Sequence, residues 1–392
     1  MKRILLIGCG AEIGSLLLGM LRPERDGLVI GAVLTNSPAT DPSHPRLSPL
    51  DGLCARIVLA QPQLLDEVSV EGGVLRVRGR EVPVFFGDMR TYPLESLPGP
   101  FDVCLVATSK THIGDRPLME RFLGVARYVL GVAEATALPG FYPPLIGAPE
   151  RFLPVRSQPA GGERIFALGS CQTNGWLAQV RGLLDLAEDV GMTRFELRGL
   201  EVDIVHPDTP TGRLGTASIR AREQDPRDNL RPGFSQVETS MARLFPERHA
   251  LSTISLRTLT LPPGYQICRF FFRYARAHGR RLDAEEIRAG LGRTVQRLPW
   301  LLRLAERPYG SRGFEQCEAA AVILPQEALL RFADDPFALH AEGVQPLSEL
   351  ILQAYVHNTR GYCRSVIEAM RHLVGNPAPR VYAALTSGEG GP

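Results

Sequence analysis

The chain has 392 residues, of which 44% are hydrophobic and 22% are charged, and its formal net charge is +2. These values are typical of a globular protein with about two domains and a sizeable core. So small a net charge gives no electrostatic reason to expect nucleic acid or an anionic membrane as a partner. No apolar run approaches the roughly 18 residues of a transmembrane helix, so we expect no membrane span.

The amino-terminal residues predict a dinucleotide-binding domain. Residues 3–7 are typical of a buried β-strand and are followed by Gly8-Cys9-Gly10-Ala11-Glu12-Ile13-Gly14. An amphipathic helix comes next and should end at Pro23, and residues 28–34 predict a second parallel strand. In such a unit the glycines let the backbone approach a pyrophosphate at the helix N-terminus. The alternative is an ordinary tight turn of an α/β fold.

The end of the second strand bears on the choice of cofactor. An NAD-specific site usually has an acidic side chain there, which binds the ribose hydroxyls. In this chain the position is taken by Ser37. Without a carboxylate the 2′-phosphate of NADP is not repelled, so the sequence favours NADP over NAD. Arg46 could reach that phosphate, although a solvated loop arginine is the simpler interpretation.

Further strands are expected along the first half of the chain. Residues 38–63 are rich in proline and predict a loop, whereas residues 75–86 alternate as a hairpin would, with Gly79-Arg80 at its turn. Residues 101–108 predict a buried parallel strand that ends in Thr108-Ser109, and such strand ends hold ligands in open α/β sheets. Two more strands are predicted at 127–132 and 164–168.

The second half of the chain predicts a different kind of sheet. Long β-rich runs at 194–205 and 251–274 indicate a second domain with a mostly antiparallel sheet. Residues 282–305 predict an amphipathic helix, and residues 377–392 predict a frayed tail. The expected fold class is therefore α/β, with a Rossmann domain built on a parallel sheet and an α+β domain built on a mostly antiparallel sheet.

Cys171 is the strongest candidate for a reactive side chain. It follows the strand at 164–168 and opens a helix with apolar residues at helical spacing. A thiol at a helix N-terminus meets unpaired N–H groups and the positive end of the helix dipole. Both favour the thiolate, which is the nucleophilic form. The alternative is that Cys171 is a small, inert residue of the core.

A second cluster, His206-Pro-Asp-Thr209-Pro-Thr211, follows 35 positions later (206 − 171). It supplies a candidate base and two hydroxyl groups that could hold an anion. The alternative is an ordinary histidine at a strand end. The seven cysteines are widely spaced, with no CxxC pair, which favours reduced thiols, a cytoplasmic location and no metal site.

The motifs around these two residues resemble those of the glyceraldehyde-3-phosphate dehydrogenase family. Ser170-Cys171-Gln172-Thr173-Asn174 resembles the Ser-Cys-Thr-Thr-Asn that surrounds the family's nucleophile. His206, Thr209 and Thr211 match its His-x-x-Thr-x-Thr in spacing and order.

The resemblance continues in colinear order over almost the full chain. Residues 229–247 align without gaps to the family's Asn-Ile-Ile-Pro-Ser-Ser-Thr-Gly…Ile-Pro-Glu, and residues 256–260 resemble its Phe-Arg-Val-Pro-Thr. Residues 355–364 are similar to its Tyr-Asp-Asn-Glu-Trp-Gly-Tyr-Ser-Asn and retain Asn358 and Tyr362.

The resemblance implies a domain organisation and a reaction. Residues 1–170 would form the NAD(P)-binding Rossmann domain, with a C-terminal helix at 359–376 packing back on it, and residues 171–358 would form the catalytic domain. The reaction would be that of a phosphorylating aldehyde dehydrogenase, with a small phosphorylated aldehyde and inorganic phosphate as substrates and NAD or NADP as cofactor. The family also implies a homotetramer.

The resemblance further implies roles for particular residues. Cys171 would be the nucleophile and His206 the base. The cofactor would be bound by Gly8, Gly10, Ala11, Glu12, Ile13, Ser37, Thr108, Ser109, Asn358 and Tyr362. Substrate or phosphate would be bound by Ser170, Thr173, Thr209, Thr211, Ser235, Gln236 and Arg257.

Several departures from the family pattern leave alternatives open. The glycine loop carries one extra residue, Ser37 replaces the acidic ribose ligand, and Ser235-Gln236 replaces a Thr-Gly pair. One alternative is the same scaffold acting on another phospho-aldehyde, such as erythrose-4-phosphate or a semialdehyde, or running as an acyl-phosphate reductase. The other is a non-catalytic paralogue that retains the fold for binding or regulation.

Overall fold

The computed structural model of the protein describes residues 1–10, 12–38, 47–153, 157–207, 231–232, 235–245, 251–258, 260, 262–307, 309–332, 347–375 and 380–383. Contacts between residues divide the chain into two compact units. The first comprises residues 1–143, 158–169 and 366–392, and the second comprises residues 144–157 and 170–365. The sequence analysis assigned residues 144–157 to the first domain.

The first unit contains a six-stranded sheet, a small hairpin sheet and short helices. Its strands are β1 (Lys2–Ile7), β2 (Leu28–Thr35), β3 (Val68–Glu71), β4 (Val74–Val77), β5 (Arg80–Val82), β6 (Val84–Phe86), β7 (Phe101–Val106), β8 (Ala126–Gly131), β9 (Gln158–Pro159) and β10 (Ile165–Ala167). Its helices include α1 (Glu12–Met20), α2 (Pro23–Asp26), α3 (Pro49–Ala60), α4 (Lys110–Gly114) and α5 (Arg116–Arg121).

The six-stranded sheet confirms the predicted parallel sheet. Its order is β10-β8-β7-β1-β2-β6, and every ladder in it is parallel. The central strand β1 is buried on both faces of the sheet, and such a strand needs a continuous run of apolar residues. Ile4, Leu5, Leu6 and Ile7 form this run, and all four are buried. The chain passes from β1 to β2 on one side and later returns to β7 on the other. The strand order therefore reverses beside β1, which is where open α/β sheets bind ligands.

Two expectations for the first unit were wrong in detail. The segment 38–63 is not a loop throughout, because α3 occupies Pro49–Ala60. Its signal was present in the sequence, since Ser48 and Asp51 form a capping box around a proline in the first turn. The first helix ends at Met20, and Pro23 begins α2 instead of ending α1.

The predicted hairpin is present, but its turn is shifted by one residue. Strands β4 and β5 pair antiparallel, and the turn between them is Arg78-Gly79, both with positive φ (52° and 71°). Two such residues suit a two-residue hairpin turn, because their backbone twist matches that of the strands. Strand β6 leaves the hairpin and joins the parallel sheet beside β2.

The second unit is built on an eight-stranded mixed sheet. Its strands are β11 (Met192–Pro207), β12 (Arg231–Pro232), β13 (Leu251–Thr258), β14 (Gly264–Arg276), β15 (Leu302–Leu304), β16 (Ala321–Ile323), β17 (Leu329–Phe332) and β18 (Ser348–Val356). The helices described here are α6 (Cys171–Asp189), α7 (Val237–Leu244), α8 (Ala284–Arg297) and α9 (Arg360–Gly375), the last of which is divided between the units.

Most ladders of this sheet are antiparallel, as the sequence predicted. The order is β12-β13-β11-β14-β18-β16-β15, with β17 also paired to β18. The exceptions are β11 with β13 and β15 with β16, which run parallel. Alternate residues of β14 are buried, and this buried face includes Cys268, Phe270, Phe272 and Tyr274. The period-two pattern of the sequence is thus the pattern of a sheet covered on one face.

Two expectations for the carboxyl-terminal half were also corrected. The helix predicted at 282–305 ends at Arg297, before Leu298-Pro299, and residues 302–304 form β15 instead. Part of the expected frayed tail is ordered, because β19 (Arg380–Val381) pairs with β9 and Tyr382 is buried against Tyr142. Among the helices of the described residues, none has the length and apolar character that crossing a membrane would require.

Candidate functional site

The first turn of α6 presents Cys171 at the start of a long buried helix, as the sequence predicted. Gly169 has a positive φ of 75°, which turns the chain sharply before the helix. Ser170 is the N-cap residue, and its hydroxyl accepts a hydrogen bond of 3.1 Å from the backbone N–H of Thr173. Cys171 occupies the first helical position and is half-buried.

His206 lies beside this thiol. It is the penultimate residue of β11, its side chain is only 8% exposed, and its Nε2 is 3.9 Å from the Sγ of Cys171. Its Nδ1 is 2.5 Å from the carbonyl oxygen of Pro207. Because a carbonyl can only accept, this contact places a proton on Nδ1, and in the neutral ring Nε2 is then the acceptor that faces the thiol. A neutral imidazole in this tautomer can take a proton from Cys171.

The neighbouring strand adds a cation to the pair. In the parallel ladder of β11 with β13, Arg257 is the residue paired with His206, and its side chain is half-buried. Adjacent strands lie about 4.8 Å apart, so the backbone of Arg257 lies next to the backbone of His206. Its forked guanidinium suits a phosphate or a carboxylate. Thr209 and Thr211 lie outside the described residues.

The hydroxyl groups around Cys171 form a bonded cluster. Thr173 is fully buried, and its Oγ1 lies 3.0 Å from the Oγ of Ser170 and 3.2 Å from the Oγ of Ser240. Because Thr173 has no exposed surface, a ligand could contact its Oγ1 only if the surrounding residues moved. Ser240, which the sequence analysis did not single out, also accepts from the indole N–H of Trp176 at 3.4 Å.

Ser235 and Gln236 lie at the start of α7, the helix that carries Ser240. Ser235 is buried, and its hydroxyl accepts from the backbone N–H of Val237 at 3.2 Å. Gln236 is the N-cap residue of α7 and is half-buried. The bond between Ser240 and Thr173 therefore connects the helix of Ser235 and Gln236 to the first turn of α6.

Cys171 differs in its environment from four of the other cysteines, Cys9, Cys54, Cys104 and Cys268. Burial raises the pKa of Cys9 to about 12, and it also raises the pKa of Cys104 and of Cys268. Cys54 is half-buried like Cys171, but burial and the nearby carboxylate of Asp51 raise its pKa. Neutral thiols are poor nucleophiles. Cys171 is the half-buried cysteine that lies at a helix N-terminus with an imidazole beside its sulfur.

A buried cluster of three amides, which the sequence did not reveal, holds α6 to the sheet. Gln266 of β14 is fully buried, and its Nε2 donates to the backbone oxygen of Gln172 at 2.9 Å and to its Oε1 at 2.6 Å. Gln179 in turn donates to the Oε1 of Gln266 at 3.3 Å. Gln266 is paired in the sheet with Ile204, two residues before His206. The cluster therefore joins the helix of the thiol to the strand of the imidazole.

We expect Gln266→Leu to lower the free energy of unfolding by about 1–3 kcal/mol, because it leaves the buried amides of Gln172 and Gln179 without their partner. The midpoint of urea unfolding measures this change. Gln353→Leu, at a half-buried position of β18, is the matched control and should have a smaller effect. Equal midpoints for Gln266→Leu and the wild type would contradict the role of the cluster.

The glycine loop after β1 has the geometry of a ligand cradle. Gly8 has a φ of 90°, and a Cβ at this position would lie 2.5 Å from the Cγ2 of Thr108 and 2.6 Å from the carbonyl oxygen of Ala107. Only glycine is compatible with this approach. The Oγ1 of Thr108 is buried and makes no hydrogen bond to the described residues. An unpaired buried hydroxyl beside a glycine turn fits an oxygen-rich ligand such as a dinucleotide.

The remaining cofactor candidates of the first unit lie around the same strand ends. Glu12 begins α1 and is exposed, and Ile13 next to it is half-buried. Ser37 is exposed after β2, and its hydroxyl donates to the carbonyl oxygen of Pro38 at 3.4 Å. Ser109 is the N-cap residue of α4. Ala11 lies outside the described residues.

Asn358 and Tyr362 belong to the second unit. Asn358 is 7% exposed, and its Oδ1 is buried and has no hydrogen-bond partner among the described residues. A buried amide oxygen without a donor fits the N–H group of a carboxamide, which a nicotinamide carries. Tyr362 is buried in the first turn of α9, where its backbone N–H donates to the oxygen of His357 at 3.0 Å.

His357 supports the backbone next to Asn358 as a neutral ring. Its Nε2 lies 2.7 Å from the carbonyl oxygen of Glu315, and its Nδ1 lies 3.1 Å from the hydroxyl of Thr359. Burial lowers the pKa of His357 from 6.5 to about 4, although the bond to Glu315 opposes this shift. The charged form is thus disfavoured in the folded state.

The low pKa of His357 predicts that the folded protein becomes less stable as the pH falls. The stability that His357 contributes is fully present above pH 6.5 and is lost as the pH falls toward 4, because the unfolded chain takes up the proton first. Relative to neutral pH, we expect a loss of roughly 2–3 kcal/mol at about pH 4.5. Urea unfolding of the wild type and of His357→Gln at both pH values isolates this loss, since other titrating groups cancel. An equal loss in both proteins would contradict it.

No protein-family model matches the sequence, and no curated protein matches it at a significant level. The site is therefore defined by its geometry, as a cysteine–histidine pair at a helix N-terminus in a chain that also contains a parallel sheet with a glycine loop.

Proposed function

We propose that the chain is an NAD(P)-dependent phosphorylating aldehyde dehydrogenase that resembles glyceraldehyde-3-phosphate dehydrogenase. The observation that carries the proposal is the 3.9 Å contact between the Sγ of Cys171 and the Nε2 of His206 at the first turn of α6. The unpaired amide oxygen of Asn358 and the glycine cradle at Gly8 support the use of a nicotinamide dinucleotide.

In the proposed reaction, Cys171 is the nucleophile. His206 Nε2 accepts the thiol proton, and the thiolate attacks the aldehyde carbon. The imidazolium then returns the proton to the resulting oxyanion, which gives a thiohemiacetal and leaves His206 neutral. We assign the stabilisation of the oxygen that becomes negative to the backbone N–H of Cys171, and one such donor contributes roughly 3–4 kcal/mol in other enzymes.

The second half of the reaction releases the product. The bound nicotinamide supplies the hydride acceptor. As the hydride leaves the thiohemiacetal carbon, His206 removes the hydroxyl proton, and the result is a thioester on Cys171. Inorganic phosphate then attacks the thioester carbon, and the Cys171 thiolate leaves as an acyl phosphate is released.

The anionic groups of both substrates need cationic and hydroxyl partners. We assign the phosphate of the aldehyde to Arg257, with Thr209 and Thr211, because Arg257 is paired with His206 across the ladder. We assign the attacking phosphate to Ser170 and Ser235. Ser170 caps the helix of the nucleophile, and Ser235 lies in the segment that Ser240 connects to Thr173.

A nucleotide-reduction assay tests the proposal. The purified chain, with glyceraldehyde-3-phosphate, inorganic phosphate and either nucleotide, should form NADPH or NADH, and omission of phosphate should stop turnover. Activity only with erythrose-4-phosphate or a semialdehyde, or only from an acyl phosphate, would identify another substrate of the same scaffold. Nucleotide binding without turnover of any of these aldehydes or acyl phosphates would contradict the enzyme and favour a binding protein.

The proposal also includes the cellular location and the oligomeric state of the protein. All seven cysteines are free thiols, which supports a reducing, cytoplasmic location. The resemblance supports a homotetramer, and the measured mass of the protein in solution tests it.

A further inference from the structure

Arg56 lies over the glycine loop, although the sequence does not connect the two. It belongs to α3, and its Nη1 donates to the carbonyl oxygen of Gly10 at 3.4 Å. A Cβ on Gly10 would lie 2.9 Å from the same nitrogen. The guanidinium therefore occupies the space that a side chain at Gly10 would take, and Arg56 is exposed to solvent.

The helix that carries Arg56 is fixed beside the end of β2. Its capping box joins the backbone N–H of Ser48 to the Oδ2 of Asp51 at 2.7 Å. A Cβ on Gly52 would lie 3.2 Å from the Cβ of Pro38, so the helix approaches the residue after Ser37 closely. Residues four apart share one face of a helix, which places Arg56 one turn beyond this contact.

Arg56 lies on the side of the glycine loop that faces β2. The backbone N–H of Gly10 donates to the Oγ1 of Thr35, the last residue of β2, at 3.3 Å. Ser37 follows two residues later with an exposed hydroxyl. In dinucleotide-binding sheets this strand end lies next to the adenosine ribose, whose 2′ position carries the extra phosphate of NADP.

The charges around Arg56 leave its guanidinium available to an anion. Among the described residues, its hydrogen bond is to a neutral carbonyl, and it forms no ion pair with a carboxylate. The nearest acid along its own helix, Asp51, is engaged by Ser48, and these bonds lower the pKa of Asp51. The glycine loop contributes one acidic residue, the exposed Glu12 at the start of α1, and no ion pair joins it to Arg56 among the described residues.

We propose that Arg56 binds the 2′-phosphate of NADP and makes NADP the preferred cofactor of this chain. The inference rests on the proposed function, because it presumes that a nicotinamide dinucleotide binds along the glycine loop. The forked guanidinium matches the phosphate oxygens, and Ser37 adds a hydroxyl where NAD-specific sites have a repelling carboxylate.

Fluorescence titration with NADPH and NADH tests this assignment without relying on turnover. The wild type should bind NADPH at least about tenfold more tightly than NADH, since a hydrogen-bonded charge pair accounts for such a ratio. Arg56→Ala should weaken NADPH binding by roughly 10- to 100-fold and leave NADH binding nearly unchanged. Arg56→Lys, which keeps the charge but not the fork, should lie between the two.

Arg127→Ala is the matched control. Arg127 is an exposed arginine at the amino end of β8, whereas the glycine loop follows the carboxyl end of β1 in the same parallel sheet. The guanidinium of Arg127 stacks on Tyr128. Its replacement should change neither titration. Calorimetry with adenosine 2′,5′-bisphosphate and with AMP repeats the comparison on fragments that lack the nicotinamide.

The possible results separate this inference from the proposed function. Equal weakening of NADPH and NADH by Arg56→Ala would assign Arg56 to the pyrophosphate and overturn the specificity assignment alone. NADH binding as tight as NADPH binding in the wild type would do the same. Failure of the wild type to bind either nucleotide would overturn the proposed function together with this inference.

Discussion

Cys171→Ala is expected to lower turnover by about 10⁴-fold or more, because without the sulfur no covalent intermediate can form. Alanine is a good helix former at this first position of α6, so the cap at Ser170 should remain intact. The affinity for NADPH should stay close to that of the wild type, since the glycine loop belongs to the other compact unit. Initial rates of NADPH formation and a nucleotide titration measure the two quantities.

Cys54→Ala is the control for this variant, because Cys54 is the other half-buried cysteine. Its Sγ lies 3.8 Å from the carbonyl oxygen of Val68, and the proposed reaction gives it no role. Turnover should persist when Cys54 is replaced. Full activity of Cys171→Ala would refute the assignment of the nucleophile.

His206→Asn is expected to slow acylation by roughly 10²- to 10⁴-fold, because the thiol loses the acceptor at 3.9 Å that takes its proton. Alkylation of Cys171 by iodoacetamide should also shift to higher pH, since the imidazole no longer favours the thiolate. The rate of the first turnover and the pH profile of alkylation measure these effects separately.

His372→Asn provides a control for the loss of an imidazole. His372 is half-buried in α9 and lies against Phe141, with a ring separation of 6.2 Å. Its replacement should leave the alkylation profile of Cys171 unchanged. A profile that is the same in the wild type and in His206→Asn would count against the pairing of thiol and imidazole.

Much of the fold could be predicted from local sequence, because the relevant signals act over a few residues. The apolar run of β1, the glycine turn and the apolar stretch of β2 predicted the first parallel pair, and the structure confirms it. The β-rich run at 251–274 predicted strands of a mostly antiparallel sheet, and β13 and β14 lie in it. The helix that opens at Cys171 was predicted from apolar residues at helical spacing.

The errors came from giving one local signal too much weight. The prolines of 38–63 suggested a loop, but a proline in the first turn favours a helix, and the capping box at Ser48 and Asp51 was the stronger signal. The helix predicted through residue 305 ignored Pro299, which ends the pattern. In both cases the position of the proline relative to the helix decides the structure: a proline in the first turn is compatible with a helix, and a proline after the last turn ends it.

Parts of the candidate site could not be predicted from local sequence. Gln266 reaches Gln172 across 94 positions of the chain, and Ser240 reaches Thr173 across 67. Arg56 reaches Gly10 across 46. Contacts over such separations depend on how the elements pack, so no periodicity or motif marks these residues. The pairing of Cys171 with His206 was open to prediction only because both lie in motifs that resemble a known family.

Trapping the acyl-enzyme tests the central claim most directly. The protein is mixed with glyceraldehyde-3-phosphate and NADP without inorganic phosphate, quenched in acid and digested, and the peptides are analysed by mass spectrometry. We expect a burst of NADPH equal to the number of sites and an acyl group on the peptide that contains Cys171. An acyl group on another cysteine, or a burst with no adduct at Cys171, would contradict the account.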